Sequence, residues 1–240
     1  GVLTAELAKR ADKVTVVEID KRLMPVLNET LSEFDNINVI NGDIMKINLE
    51  KLIKDEFAGM KTAVCANLPY YITSPVIMLL LESGIPVEAI TVMVQKEAAQ
   101  RLCAKVGTRQ AGAVTAAVQF YGKAELLFEV SRGSFMPSPN VDSAVIRIKP
   151  DKYYRSMVDD KDLFFKVVRG AFSQRRKTMV NSLSSVLGVP KSLLSECLEF
   201  CGIEKNIRAE QLSMEELILF ANRCLLYTSP SPRDKRQSRM

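Results

Sequence analysis

The apolar positions of this chain fall into two regimes. Up to residue 150, short β-branched runs alternate with segments of helical period. Leu3, Leu7 and Ala8 form one face of an opening helix, with Glu6, Lys9 and Arg10 on the other. Residues 13–19 (K-V-T-V-V-E-I) read as a buried parallel strand. A helix is predicted over 22–31, strands over 38–41 and 62–66, and a helix over 74–82 capped by Thr73 or Ser74, with Pro75 in its first turn. A strand over 89–94, helices over 97–103 and 112–120, and closing strands over 126–130 and 144–148 complete the series. Alternation of this kind argues for an open, mostly parallel, doubly wound α/β sheet. Such sheets bind ligands at the carboxyl ends of their strands.

After Pro150 the period changes. Residues 151–160 are charged and Tyr-containing, as in a linker. Beyond them only helical patterns follow, over 163–172, 179–187, 191–200 and 213–224, punctuated by Gly188-Val189-Pro190 and Gly202. This predicts a domain of residues 1–150 and a small all-α domain of residues 151–224. Residues 225–240 lack apolar periodicity and carry two prolines and a cluster of cations. They are read as a non-native tail resembling translated vector sequence, the other reading being a basic arm for RNA. Gly1 falls at the edge of a helical pattern, so it is read as an internal position of a longer protein. No signal peptide and no apolar run near eighteen residues is present, so no membrane span is expected.

Composition narrows the chemistry. Hydrophobic residues make up 47% and charged residues 25%, which excludes wholesale disorder. His is 0, which excludes Ser-His-Asp and Cys-His hydrolytic arrangements and any His-containing metal site. No metal is expected. Trp is 0, so stacking on a base falls to Phe, Tyr or Arg. Five Cys without a C-x-x-C read as reduced core thiols of a cytosolic protein. The net charge of +5 is unevenly placed: residues 1–150 balance 17 cations against 17 acids, 151–224 carry 12 and 10, and 225–240 carry 4 and 1.

Five motifs stand at predicted strand ends or in connections. In Val17-Glu18-Ile19-Asp20, the Glu18 carboxylate can accept from both hydroxyls of a ribose. A solvated strand-end carboxylate is the plain alternative. In Asn41-Gly42-Asp43, Gly42 permits a tight path and Asp43 can accept from an adenine amine, or the segment is an ordinary turn. Asn67-Leu68-Pro69-Tyr70-Tyr71 follows a buried strand directly. The exocyclic nitrogen of adenine is a poor nucleophile because its lone pair is delocalised into the ring. The Asn67 amide oxygen and the Leu68 carbonyl can both accept its N–H protons and draw it toward tetrahedral geometry. Pro69 stiffens these acceptors, and Tyr70 offers a stacking face to an extruded base. In residues 135–143 (F-M-P-S-P-N-V-D-S), two prolines stiffen a loop and Phe135 can cover the base's other side. Residues 169–177 hold Arg169, Arg175, Arg176 and Lys177 with no acid, suited to a phosphate backbone or to a plain solvated helix end.

In this order, V-E-I-D, N-G-D, N-L-P-Y-Y-I-T-S-P, V-Q-K-E-A-A-Q-R, F-M-P-S-P-N-V-D-S, F-S-Q-R-R-K-T-M and R-A-E-Q-L-S (208–213) resemble the ribosomal RNA adenine N6,N6-dimethyltransferase family over residues 1–224. The resemblance implies a Rossmann-like methyltransferase sheet with a small C-terminal all-α domain, and S-adenosylmethionine as methyl donor. It implies dimethylation of two adjacent adenosines in the 3′-terminal hairpin of small-subunit rRNA by a cytoplasmic monomer acting on the immature subunit. By position, Gly1, Glu18, Asp43, Ile44 and Asn67 would line the cofactor site. Asn67, Leu68, Pro69, Tyr70 and Phe135 would hold the target base, and Arg169, Arg175, Arg176 and Lys177 the RNA. Residues 1–4 (G-V-L-T) would end a glycine-rich motif whose earlier part lies outside this sequence, so weak cofactor binding by these 240 residues is expected. Two alternatives stand beside this reading: an antibiotic-resistance methyltransferase of large-subunit rRNA, and a non-catalytic RNA-binding assembly factor.

Overall fold

The computed structural model describes residues 1–228. Residues 229–240, most of the expected tail, lie outside the described residues. The elements run α1 (Val2–Ala8), β1 (Val14–Glu18), α2 (Met24–Thr30), β2 (Ile37–Asn41), α3 (Leu49–Phe57), β3 (Thr62–Asn67), α4 (Thr73–Glu82) and β4 (Val87–Gln95). They continue with α5 (Lys96–Leu102), α6 (Ala113–Tyr121), β5 (Gly122–Val130), β6 (Ser143–Pro150), α7 (Lys161–Phe172), α8 (Met179–Leu187), α9 (Lys191–Phe200) and α10 (Met214–Thr228). Two compact units result, one of residues 1–64 and 71–88, the other of 65–70 and 89 onward.

In the first unit β1 and β2 pair in parallel, with Val14 opposite Ile37 and Glu18 opposite Asn41. The Glu56 carboxylate of α3 ties both strands. It accepts from Thr15 Oγ1 at 3.1 Å and Asn38 Nδ2 at 2.9 Å, and lies 2.9 Å from Lys13 Nζ. Helix α3 is absent from the sequence-predicted elements. Its signals were present: Asn48 caps it by accepting from Lys51 N–H, and Leu49, Leu52, Ile53 and Phe57 keep helical spacing. Helix α4 begins at Thr73, and its cap position falls on Ile72 rather than on the expected Thr73 or Ser74.

In the second unit the four-stranded sheet has the order β3-β4-β6-β5, with β3 contributing residues 65–67. One strand departs from the expected mostly parallel arrangement. Strand β6 runs antiparallel to both neighbours, with Gln95 of β4 and Val130 of β5 opposite Ser143. The reason is the link from β5 to β6: residues 131–142 form a loop that turns the chain back, with no crossover helix to restore its direction. Strand β5 also begins earlier than predicted, at Gly122, where helix α6 passes straight into it and left no polar break to read.

Helix α7 packs on α6 through an aromatic core, and α8 and α10 pack on α7 in turn. Phe120 stacks on Phe164 with centroids 5.2 Å apart, and Tyr121 stacks on Phe165 at 5.8 Å. Helix α7 is capped by Asp160, which accepts from Leu163 N–H. At Gly170 a Cβ would come within 2.9 Å of the Leu183 side chain, so glycine is what lets α7 and α8 close up. Helix α10 extends to Thr228, four residues past its predicted end, and Arg223 lies over the Tyr227 ring at 5.8 Å.

Candidate active site

The first unit gathers two carboxylates at the carboxyl ends of its paired strands. Glu18 ends β1, and its Oε1 accepts from Asp20 N–H at 2.8 Å. The chain after β2 is drawn against it: Gly42 N–H and Asn41 Nδ2 both donate to the Glu18 carbonyl, each at 2.9 Å. That places the Asp43 turn beside Glu18. Asp43 Oδ1 accepts from Met45 N–H at 3.0 Å, and half-buried Ile44 stands next to it. Glu18 is oriented through one oxygen, whereas the second oxygen of Asp43 lies 3.7 Å from Lys46 Nζ, and both carboxylates keep lone pairs for an outside donor. Asp20 is different. Arg22, bonded to it at 2.7 Å, lowers its carboxyl to about 2, which makes Asp20 the partner of that guanidinium. Gly1 is exposed at the start of α1, where a Cβ would lie 3.1 Å from Thr30 Oγ1.

The second unit holds a cleft of about 340 Å³ lined by Asn67, Leu68, Pro69, Tyr70, Met93, Phe135, Pro137 and Pro139. The expected base-holding residues therefore meet in space. Asn67 is the last residue of β3 and stands exposed, and Tyr70 opens a 3-10 turn. The facing wall is the 131–142 loop, with a cis bond at Met136-Pro137. Asp142 organises that loop: its Oδ1 accepts from Arg132 N–H and its carbonyl from Lys96 N–H, both at 3.0 Å. Ser138 Oγ donates to the Arg132 carbonyl at 2.9 Å.

Two contributors were not singled out by sequence. Ser143, fully buried at the start of β6, has its hydroxyl 2.9 Å from the Tyr70 hydroxyl. Met93 supplies the cleft wall from β4. Ser143 lies in the quoted F-M-P-S-P-N-V-D-S motif, so its position was visible, but its partner, 73 residues away, was not.

Arg169, Arg175, Arg176 and Lys177 are all exposed, and Arg175 Nη2 also donates to the carbonyls of Arg109 at 2.8 Å and Ala111 at 2.9 Å.

A strand-end carboxylate pair in the first unit and an amide-proline-tyrosine cleft in the second stand on a Rossmann-like α/β fold, the class of a methyltransferase. Comparison with known proteins makes the class specific: the chain matches the ribosomal RNA adenine dimethylase family over residues 1–224 and belongs to it. It is an rRNA adenine dimethyltransferase. It is 46% identical over 223 residues to the ribosomal RNA small subunit methyltransferase A of Alkaliphilus oremlandii, covering 92% of this chain and 78% of that protein. The protein of the same name from Clostridioides difficile is 44% identical, with 92% and 77% covered. Among solved structures, a dimethyladenosine transferase from Plasmodium falciparum superposes with a TM-score of 0.75 at 26% identity, covering 92% of this chain and 84% of that one. The 23S rRNA methyltransferase ErmE gives a TM-score of 0.67, also at 26% identity, with 93% and 86% covered.

Proposed function

We propose that this protein dimethylates N6 of two adjacent adenosines in the 3′-terminal hairpin of small-subunit rRNA during ribosome biogenesis, as a cytoplasmic monomer that needs no metal. The observation that carries the reading is the cleft in which Asn67, Leu68, Pro69 and Tyr70 face Phe135, Pro137 and Pro139. Relatives 44–46% identical carry the small-subunit name, which favours this substrate over the large-subunit alternative, represented by a structure 26% identical. The Asn67–Tyr70 segment favours catalysis over a purely binding role.

The carboxylates of the first unit fit the donor groups of S-adenosylmethionine. Glu18 would hold the ribose hydroxyls and Asp43 the adenine amine, and Ile44 and Gly1 would complete the cofactor site. Once bound, the cofactor supplies an electrophilic methyl on a sulfonium sulfur. The protein's own work is on the target amine. Tyr70 and Phe135 sandwich the extruded base, which favours its escape from the helix stack. The Asn67 side-chain oxygen and the Leu68 carbonyl accept the two N6–H protons and free the lone pair for attack. Methyl transfer leaves a positive nitrogen, whose proton passes by way of these acceptors to water, so no strong side-chain base is required. After the first methylation one N–H remains, and the same acceptors serve the second transfer. Residues 1–150 form the catalytic part, and residues 151–224 dock the subunit, with Arg169, Arg176 and Lys177 on rRNA phosphates.

The test is Asn67→Ala. It should lower methyl incorporation into undermethylated small subunits by at least about 100-fold, the scale on which a preorganised polar group acts. Affinity for the subunit should hardly change. Retained turnover would overturn the role of Asn67, and equal turnover on protein-free large-subunit rRNA would overturn the substrate.

A further inference from the structure

The exposed cations of the second unit come from more than the 169–177 segment. The loop between α5 and α6, residues 103–112, also carries exposed Lys105 and Arg109. That loop is built to hold one shape. Val106 and Ala111 are buried, Val106 N–H donates to Gln119 Oε1 at 3.1 Å, and the Thr108 hydroxyl donates to the Lys105 carbonyl at 2.7 Å. Gly107 has φ +93°, and a Cβ there would lie 3.5 Å from the Leu212 carbonyl. Arg175 is the clasp: one nitrogen of its guanidinium reaches both the Arg109 and Ala111 carbonyls, and Glu210 lies 4.0 Å from its Nε. Its chain neighbours, Arg176 and Lys177, are exposed beside that clasp. Among the described residues, no ion pair joins Lys105, Arg109, Arg176 or Lys177 to a carboxylate within 4.0 Å.

We propose that Arg175 is a positioning residue: it locks the 103–112 loop so that Lys105 and Arg109 join Arg176 and Lys177 in one surface for the rRNA backbone. This rests on the rRNA substrate proposed above. The physical case has two parts. A single nitrogen of the guanidinium holds both loop carbonyls, so one side chain fixes the loop on which two exposed cations stand. A loop ordered before binding also avoids the entropy cost of being ordered by the RNA. Lysine, a single point charge on a flexible stem, cannot reproduce the planar fork that holds this loop.

The experiment measures affinity of the full chain for an RNA hairpin of the small-subunit 3′ end across a series of KCl concentrations. Lys105→Ala/Arg109→Ala should weaken binding and reduce the slope of log K against log salt by about 2, one for each phosphate no longer neutralised. Arg175→Lys, with its charge kept, should weaken binding to a similar extent, and adding it to the double variant should cost nothing further. An unchanged slope in the double variant overturns the surface. Full affinity in Arg175→Lys, or an additive loss in the triple variant, overturns the positioning role. If the unmodified chain binds the hairpin with ordinary salt dependence while the variants match it, this inference fails alone. If the unmodified chain does not bind the hairpin, the substrate reading fails with it. The double variant alters only exposed side chains, so it reports on the surface even if Arg175→Lys fails to fold.

Discussion

Tyr70 shows how much of this site rests on one contact. Its ring lines the cleft, and its hydroxyl is tied at 2.9 Å to Ser143, which is anchored in a strand paired on both sides. The tether fixes the plane on which the target base stacks. Ser143→Ala should therefore lower kcat/KM roughly tenfold, since small misplacements of a stacked substrate are costly, while unfolding free energy falls by only about 1 kcal/mol. Tyr70→Phe removes the same bond from the other end. In a double-mutant cycle the two changes should be strongly non-additive, and additive losses would separate the two hydroxyls. The Asn67–Tyr70 motif was legible because its chemistry is local: an amide, a backbone carbonyl, a rigid proline and a ring in consecutive positions. Ser143 was not, because nothing in a serine at a strand start says which ring it will meet.

Among the elements, α3 makes the clearest case. Its Glu56 joins β1 and β2, and the Lys13 ammonium, followed by Asn38, holds the Glu56 carboxyl below its usual range. A lowered carboxyl pKa means that the folded state favours the charged form. The stabilisation is therefore present above the ordinary carboxylate pKa of about 4.3 and is lost as pH falls through the lowered value. Glu56→Gln should lower stability by about 1 kcal/mol at neutral pH, a modest figure because Lys13 is partly exposed to solvent. The gap in thermal midpoint between variant and parent should close as pH drops below about 4. A gap that stays constant from neutral pH to acid would show that charge plays no part. Strand existence was readable from β-branched runs, whereas α3 went unpredicted although its cap and spacing were there. Strand direction at β6 was not readable, because a run such as A-V-I-R-I has the same pattern whichever way it points.

Across the whole molecule, the helical half is joined to α6 by the stack of Phe120, Tyr121, Phe164 and Phe165. Phe164 is fully buried there, so Phe164→Ala should destabilise the second unit by about 3–5 kcal/mol, read as a lower denaturant midpoint with m little changed. A loss below about 1 kcal/mol would mean that the stack closes over the cavity. The change of period at Pro150 marked where strands give way to helices, but it could not show that α7 packs on α6. Charge behaves the same way. The net +5 says little about an RNA partner when residues 225–240 supply 4 cations against 1 acid. What matters is which cations share a surface, and Arg175, counted by sequence among RNA-facing residues, also grips the carbonyls of a loop more than sixty residues away.

The sequence by itself determined the α/β alternation, the helical C-terminal half, the family and the residues of the Asn67 motif. Each of these is written in neighbouring positions, through period, propensity or the chemistry of adjacent groups. Only the tertiary structure decided that Phe135, Pro137 and Pro139 face that motif, that Ser143 tethers Tyr70, that β6 runs antiparallel, and that Arg175 clasps a distant loop. Those facts depend on pairings between residues far apart in the chain, which side-chain packing selects and no local pattern encodes.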